Sequence, residues 1–390
     1  MKGIPGSDTG AGHPRSHCAQ RRVLARGAQG FLLALIQSQT GIGAARAQEI
    51  RASEAVCSGC RLAFETVVRF GADGTIVGAT SSVVRHKLGW LVAHEYDLSR
   101  ISVFDDKGVL VRSVGRKGRG PGEFEAVAEI LVSRQDSVYV IDPAADRISV
   151  LDPQLQFVRT EPLPLHGVEG DVLTDGSFLF NAKVATRQSL GYPLHIVRGG
   201  LVVRSFGAVN PVYRRDMPNL GARMMGHVRD DHIWIAHWGR YRLERWNLET
   251  QVLDRGIERP VSWFPDVSGI YRRGGEKPVT RITGIHEDYQ GRIWIAITVA
   301  DDRWESARML QGGVRGVQLY KVGSYKEYWD TILECIDSRT GEVLASVRTD
   351  ELVHGFTSND FIIIYDETEA GEPLIELRRP VLTQNPLNRR

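Results

Sequence analysis

A short phrase, a polar turn followed by an apolar-aromatic-apolar run, recurs along this chain. Repetition constrains a fold more tightly than composition does. The clearest copies are Asp136-Ser137-Val138-Tyr139-Val140, Asp231-His232-Ile233-Trp234-Ile235-Ala236 and Gly291-Arg292-Ile293-Trp294-Ile295-Ala296. Looser copies are Leu88-Gly89-Trp90-Leu91-Val92, Asp175-Gly176-Ser177-Phe178-Leu179-Phe180 and Asn359-Asp360-Phe361-Ile362-Ile363-Ile364. Their central positions, 90, 139, 178, 234, 294 and 362, are spaced by 49, 39, 56, 60 and 68 residues. A second phrase follows most copies. Arg100-Ile101-Ser102-Val103-Phe104-Asp105 returns as Arg147-Ile148-Ser149-Val150-Leu151-Asp152, and Tyr241–Asn247 and Thr331–Asp337 fill the same slot later. Period-two alternation bounded by Gly, Asp and Asn marks β-strands, and no long stretch after residue 47 has helical period.

Each unit thus holds about four short strands in ~40–60 residues, the size of a propeller blade. One such sheet cannot bury both faces alone, whereas stacking around an axis buries them and leaves short edges. A β-sandwich would not repeat two distinct phrases in the same order. The sequence predicts an all-β fold, a six-bladed β-propeller of four-stranded blades, over residues 61–381. Phe64–Phe70 precedes the first full repeat and Pro373–Leu377 follows the last. Pairing these N- and C-terminal strands in one blade would close the ring and remove two open edges.

With 390 residues, 42% hydrophobic, the chain has ample material for such a core. Its formal charge of +2 is uneven. Residues 1–47 carry Lys2, Arg15, Arg21, Arg22, Arg26 and Arg46 against Asp8 alone, which leaves the remainder slightly negative. Nucleic acid is therefore not an expected partner. The same segment places Arg21-Arg22 before the apolar run Gly30–Ile36 and ends in Ala45-Arg46-Ala47, the pattern of a signal peptide removed after Ala47. The run is too short to span a membrane. These features predict an exported (periplasmic or secreted) monomer without a membrane span. Residues 48–60 would form an N-terminal lead and 382–390 a C-terminal tail. Cys57 and Cys60 lie just after the cut. In an exported chain they read first as a disulfide, with free thiols or a redox or metal role as alternatives.

The Gly115–Gly122 and Asp136–Asp152 stretches together resemble an NHL repeat, a glycine-rich turn followed by a strand, a D/G turn and an N/D-R-I phrase. Gly284–Ala296 is a second match. The whole chain after residue 47 is similar to exported bacterial six-bladed propeller proteins. The resemblance implies the fold. On function it implies a binding or interaction scaffold for a protein or small ligand, with a metal-dependent propeller enzyme, lyase or lactonase-like, as the alternative.

Two sets of residues carry candidate chemistry. His286 and His354 lie eight residues before Trp294 and Ile362, and His227 lies seven before Trp234. If these are innermost strands, three imidazoles converge on a central channel, a donor set suited to a divalent metal such as zinc; calcium would need oxygen donors instead. Arg214, Arg215, Trp263, Phe264, Tyr271 and Arg272 sit in two long insertions. If the insertions share a face, these residues make a basic-aromatic rim for an anionic or sugar-like ligand, or for a protein. The basic glycine loop at 115–122 continues into Pro121 and a strand rather than a helix, so it reads as a turn between blades and not as a phosphate loop. No nucleophile elbow or His-Glu-x-x-His pair is present.

Overall fold

In a computed structural model, described residues are 47–53, 56–57, 59–71, 75, 80–94, 98–183, 191–207, 223–264, 277–314, 317–368 and 372–384. In chain order the strands are β1 (Gln48–Arg51), β2 (Cys60–Phe70), β3 (Thr80–His86), β4 (Gly89–His94), β5 (Ile101–Phe104), β6 (Leu110–Val114), β7 (Glu129–Val132), β8 (Val138–Asp142), β9 (Arg147–Leu151), β10 (Phe157–Pro162), β11 (His166–Val172), β12 (Phe178–Lys183), β13 (Leu194–Arg198) and β14 (Leu201–Phe206). They continue as β15 (Arg223–Met225), β16 (His232–His237), β17 (Arg242–Asn247), β18 (Leu253–Glu258), β19 (Arg281–Glu287), β20 (Arg292–Ala300), β21 (Arg308–Val314), β22 (Val317–Val322), β23 (Trp329–Asp337), β24 (Val343–Thr349), β25 (Leu352–Phe356), β26 (Ile362–Glu367) and β27 (Pro373–Gln384).

The sheets are β3–β6, β7–β10, β11–β14 and β15–β18, then β19-β20-β23-β24, and last β25-β26-β27 completed by β2. These are six four-stranded blades, the architecture expected from the repeats. The innermost strands β3, β7, β11, β15, β19 and β25 follow one another around the axis. Each recurring phrase forms a second strand. Those strands are buried on both sides because a blade lies against each face, which is why the phrase reads as a continuous apolar run.

The core is a ring of layers between blades. Phe70, Trp90, Phe104, Phe361 and Ile375 seal blade six to blade one. Trp234, Leu243, Ile293 and Ile295 join blades four and five. Closure uses the two strands expected: β2 runs antiparallel to β27, with Phe64 opposite Pro380 and Phe70 opposite Ile375.

The polar residue ahead of each phrase has a backbone reason. Gly89, Asp136, Gly176, Asp230, Gly291 and Asp360 all have positive φ, the left-handed region open to Gly and tolerated by Asp. In blade two, Asp136 N–H donates to the Ser133 carbonyl and Ser133 N–H to that of Ser137. Blades three, five and six repeat this pattern at Leu173–Ser177, Asp288–Arg292 and Thr357–Phe361. It is a hairpin turn ending in a left-handed residue.

The segment read as an N-terminal lead is built into the fold. β1 adds to the outer edge of blade four, parallel to β18. Val56 bridges Val343 at the edge of blade five, and β2 then completes blade six. The N-terminal segment therefore touches the outer edges of three blades in turn. Unpaired edge amides at β18 make such an addition favourable, and Glu49 accepts two bonds from Arg242 at 3.1 and 3.0 Å. Cys57 and Cys60 are joined by a disulfide with Cα atoms 5.5 Å apart. The glycine loop is a turn between blades one and two. Glu123 accepts from Arg116 and from Gly120 N–H, and Arg147 donates to the Gly118, Arg119 and Glu123 carbonyls.

Candidate functional site in the central channel

The six innermost strands enclose a cavity of about 460 Å3. Because each strand alternates its side chains, every blade sends residues into it. Glu129, Glu169, Asp171, Thr283 and His354 line its wall. Arg134, Thr174, Arg229, Tyr289 and Ser358 line the end where first strands turn into second strands.

The acidic wall is locally satisfied. Asp171 accepts from Val172 N–H at 2.7 Å and Val228 N–H at 2.8 Å. Glu129 accepts from Gly170 N–H at 2.7 Å, and Glu169 from Met225 N–H at 2.9 Å and the Asn181 amide at 3.2 Å. Burial, and then the neighbouring Glu169 charge, push Glu129 well above the ordinary carboxylate range. Burial pushes Glu169 up to about 7, against the opposing pull of Met225, Asn181 and His227. The native state thus keeps a proton that the unfolded chain releases near its ordinary value of 4.5. Proton linkage then makes stability fall as pH rises from that value towards 7. Glu169→Gln keeps the acceptor oxygen. It is expected to exceed the parent by about 1–2 kcal/mol at pH 8 and to match it at about pH 4.5. Urea unfolding at the two pH values measures this. A constant difference would mean that Glu169 carries no such proton.

The three histidines reach the same region but not equivalent positions. His286 stands opposite Trp294 in the ladder. In blade four it is Gly226 whose N–H reaches the Trp234 carbonyl, at 2.9 Å, and in blade six Phe356 pairs with Ile362. In blades four and five the residue eight before the tryptophan faces it, so His227, seven before, is one place out of step; in blade six Gly355 faces Ile363, and His354 is the extra residue at the register shift between Val353 and Gly355. His227 and His286 meet edge to face with centroids 5.7 Å apart, and His286 stacks on Phe356.

Each imidazole has its own surroundings. His227 Nε2 lies 3.3 Å from the Phe356 carbonyl, and its Nδ1 lies 3.8 Å from Asp171. Burial opposes its charge, but Asp171 and the carbonyl outweigh burial and raise its pKa. His286 is buried and bonds Asp360 at 2.7 Å, and burial lowers its pKa despite that partner. Burial lowers the pKa of His354, although the residue as a whole is exposed to the channel. Among the described residues, no group of three His, Cys, Asp or Glu side chains is arranged to hold a metal ion. These residues as placed do not fit one.

Of the expected rim, Arg214, Arg215, Tyr271 and Arg272 lie outside the described residues. Trp263 is exposed, edge to face with Tyr241 and Phe264, while Phe264 is buried between blades four and five. The sequence reading overlooked Glu129, Glu169, Asp171, Arg134 and Arg229. Glu169 and Asp171 lie nine and seven residues before Phe178. The count of seven that singled out His227 would have found Asp171 too.

The wall also separates two kinds of glycine. A Cβ on Gly170 would lie 2.4 Å from the Phe180 ring, whereas one on Gly355, which lines the cavity, would meet nothing within 4 Å. Gly170→Ala is expected to cost about 1–3 kcal/mol by overpacking. Gly355→Leu should change stability by less than about 1 kcal/mol while placing its side chain in the channel. Thermal unfolding of the two variants distinguishes them, and equal losses would contradict this placement of the wall.

A family described as a 6-bladed beta-propeller, DUF5128, matches residues 72–195. No curated protein matches the chain. Among solved structures, a Bacteroides fragilis protein described as a candidate exported protein is similar at 12% identity and TM-score 0.53, over 86% of this chain and 99% of that one. A DUF4221 family member from Bacteroides vulgatus is similar at 10% identity and TM-score 0.57, over 84% and 99%. These likenesses are of fold alone. Among the described residues, no helix is long and apolar enough to cross a membrane. The family match over the first blades, the two similar structures and the six sheets agree on one architecture: the chain is a six-bladed β-propeller.

Proposed function

We propose that this chain is an exported binding module whose central channel takes a small polar ligand. The observation that carries the reading is the cavity itself. It measures about 460 Å3, is lined from all six blades, and presents polar side chains on a rigid sheet scaffold. Export is supported by the basic-then-apolar N-terminal segment and by the Cys57–Cys60 disulfide, which suits an oxidising compartment. The similar Bacteroides fragilis protein, described as a candidate exported protein, points the same way.

The test is thermal unfolding of the parent and of Gly355→Leu with phosphate, citrate, glucose and spermidine. A ligand at about ten times its Kd should raise Tm by about 2 °C in a chain of this size. At least one probe class is expected to do so in the parent and not in the plugged variant. No shift in the parent, or equal shifts in both, rejects the channel as the site. Elemental analysis of the protein purified from the periplasm is the companion measurement. One stoichiometric divalent metal, zinc or calcium, would favour a metal-dependent enzyme over a binding module.

A further inference from the structure

We infer that the turn-side mouth of the channel is an oxyanion site anchored by Arg134 and Arg229. This deepens the channel reading and rests on it. Arg229 is held from three sides: its Nε donates to the Glu287 carbonyl at 3.0 Å, its Nη2 to Asp360 at 3.0 Å, and its guanidinium lies 3.9 Å from the Tyr289 ring centroid. Among the described residues, its Nη1 has no acceptor. A guanidinium fixed in this way loses little freedom when it grips a ligand, and its Nη1 can give charge-assisted hydrogen bonds to a carboxylate or phosphate oxygen.

Arg134 lies across the mouth on the turn of blade two and makes no ion pair or hydrogen bond among the described residues. Its base is rigid. The Ser133–Ser137 turn closes on itself, Ser137 N–H also reaches Ser133 Oγ at 3.1 Å, and His86 Nε2 lies 3.0 Å from the Asp136 carbonyl. The Thr174 and Ser358 hydroxyls line the same mouth. The carboxylates deeper in the wall do not favour a cation instead. Asp171 is met by two backbone N–H groups with His227 beside it, and Glu129 by one. Arg229 is paired with Asp360, so among the described residues the charge left without an ion partner at the opening is that of Arg134.

The experiment is calorimetric titration of the full chain with inorganic phosphate and, separately, with citrate, at low and high salt. Both arms use the parent, Arg134→Gln, Arg134→Glu and Gly355→Leu. The expected result is saturable binding of at least one of the two anions, weakened about tenfold by Arg134→Gln and further by charge reversal, and falling with added salt. Whichever arm titrates identifies phosphate or carboxylate as the chemistry. Arg134 is exposed and makes no hydrogen bond or ion pair among the described residues, so its variants should fold normally. Binding of both anions unchanged in Arg134→Gln and Arg134→Glu overturns the inference. So does a parent that binds glucose or spermidine in a Gly355→Leu-sensitive way but neither anion; that outcome leaves the channel reading standing. A parent that binds none of the four probes rejects both.

Discussion

Arg259→Met is expected to lower the unfolding free energy by about 3–5 kcal/mol, because it strands a buried carboxylate. Arg259 Nη1 reaches both Glu334 oxygens, at 2.8 and 2.7 Å, and only 2% and 1% of the two side chains is accessible. Tyr241 donates its hydroxyl to the same carboxylate, and Ser346 donates at 3.0 Å. Burial, and then the Glu334 charge, raise Tyr241 well above the ordinary phenol range, so its donor proton is secure. Arg259 follows β18 in blade four and Glu334 lies on β23 in blade five, while Arg259 Nε also holds the Ser53 carbonyl of the N-terminal segment at 3.1 Å. The pair therefore ties two blades and that segment together. Replacing both members, Arg259→Met with Glu334→Leu, should recover most of the loss, since an apolar pair of similar volume leaves no charge unpaired. Urea unfolding of the two single variants and the double variant measures the coupling. A single-variant loss below about 1 kcal/mol would mean that water reaches the carboxylate.

Trp294→Ala should cost about 3–5 kcal/mol, the range for deleting a large aromatic side chain from a core. Trp294 is 1% exposed, and its indole N–H donates to Asp288 at 2.9 Å. Trp234 is as deeply buried in blade four, but among the described residues its indole nitrogen has no hydrogen-bond partner. The alanine variants should therefore lose similar amounts and the phenylalanine variants should not. Trp234→Phe keeps one aromatic ring and gives up no hydrogen bond among the described residues, so its cost, from lost volume alone, should be about 1–2 kcal/mol. Trp294→Phe also takes a donor from a buried carboxylate, a further loss of about 1–3 kcal/mol. Equal losses in the two phenylalanine variants would contradict the Asp288 contact.

These tryptophans also mark how far the sequence could be read. The phrase around them repeats because each second strand is buried on both sides and each turn before it needs a left-handed residue. Both demands act on a few adjacent residues, so they surface as a local pattern at positions 90 to 362. The irregular spacing was legible too: the 68 residues between Trp294 and Ile362 include the added hairpin β21–β22 in blade five. The histidines were legible only in part. Counting back from the phrase put His227, His286 and His354 near the channel, but counting cannot detect a bulge such as the one at His354. One residue of slip sends a strand side chain to the opposite face. The parallel docking of β1 on β18 left no mark either, since its partners lie some two hundred residues downstream.

By itself, then, the sequence determined the all-β class, the six blades and the closure of the ring by its first and last long strands. Strand period, turn chemistry and burial of a sheet are nearest-neighbour effects written in consecutive residues. Only the tertiary structure decided which polar groups meet in the channel. His227 touches a carbonyl 129 residues away, and Arg229 a carboxylate 131 residues away. Such contacts depend on how the blades are rotated about a common axis. That rotation is set by the packing between blades, not by any one stretch of chain.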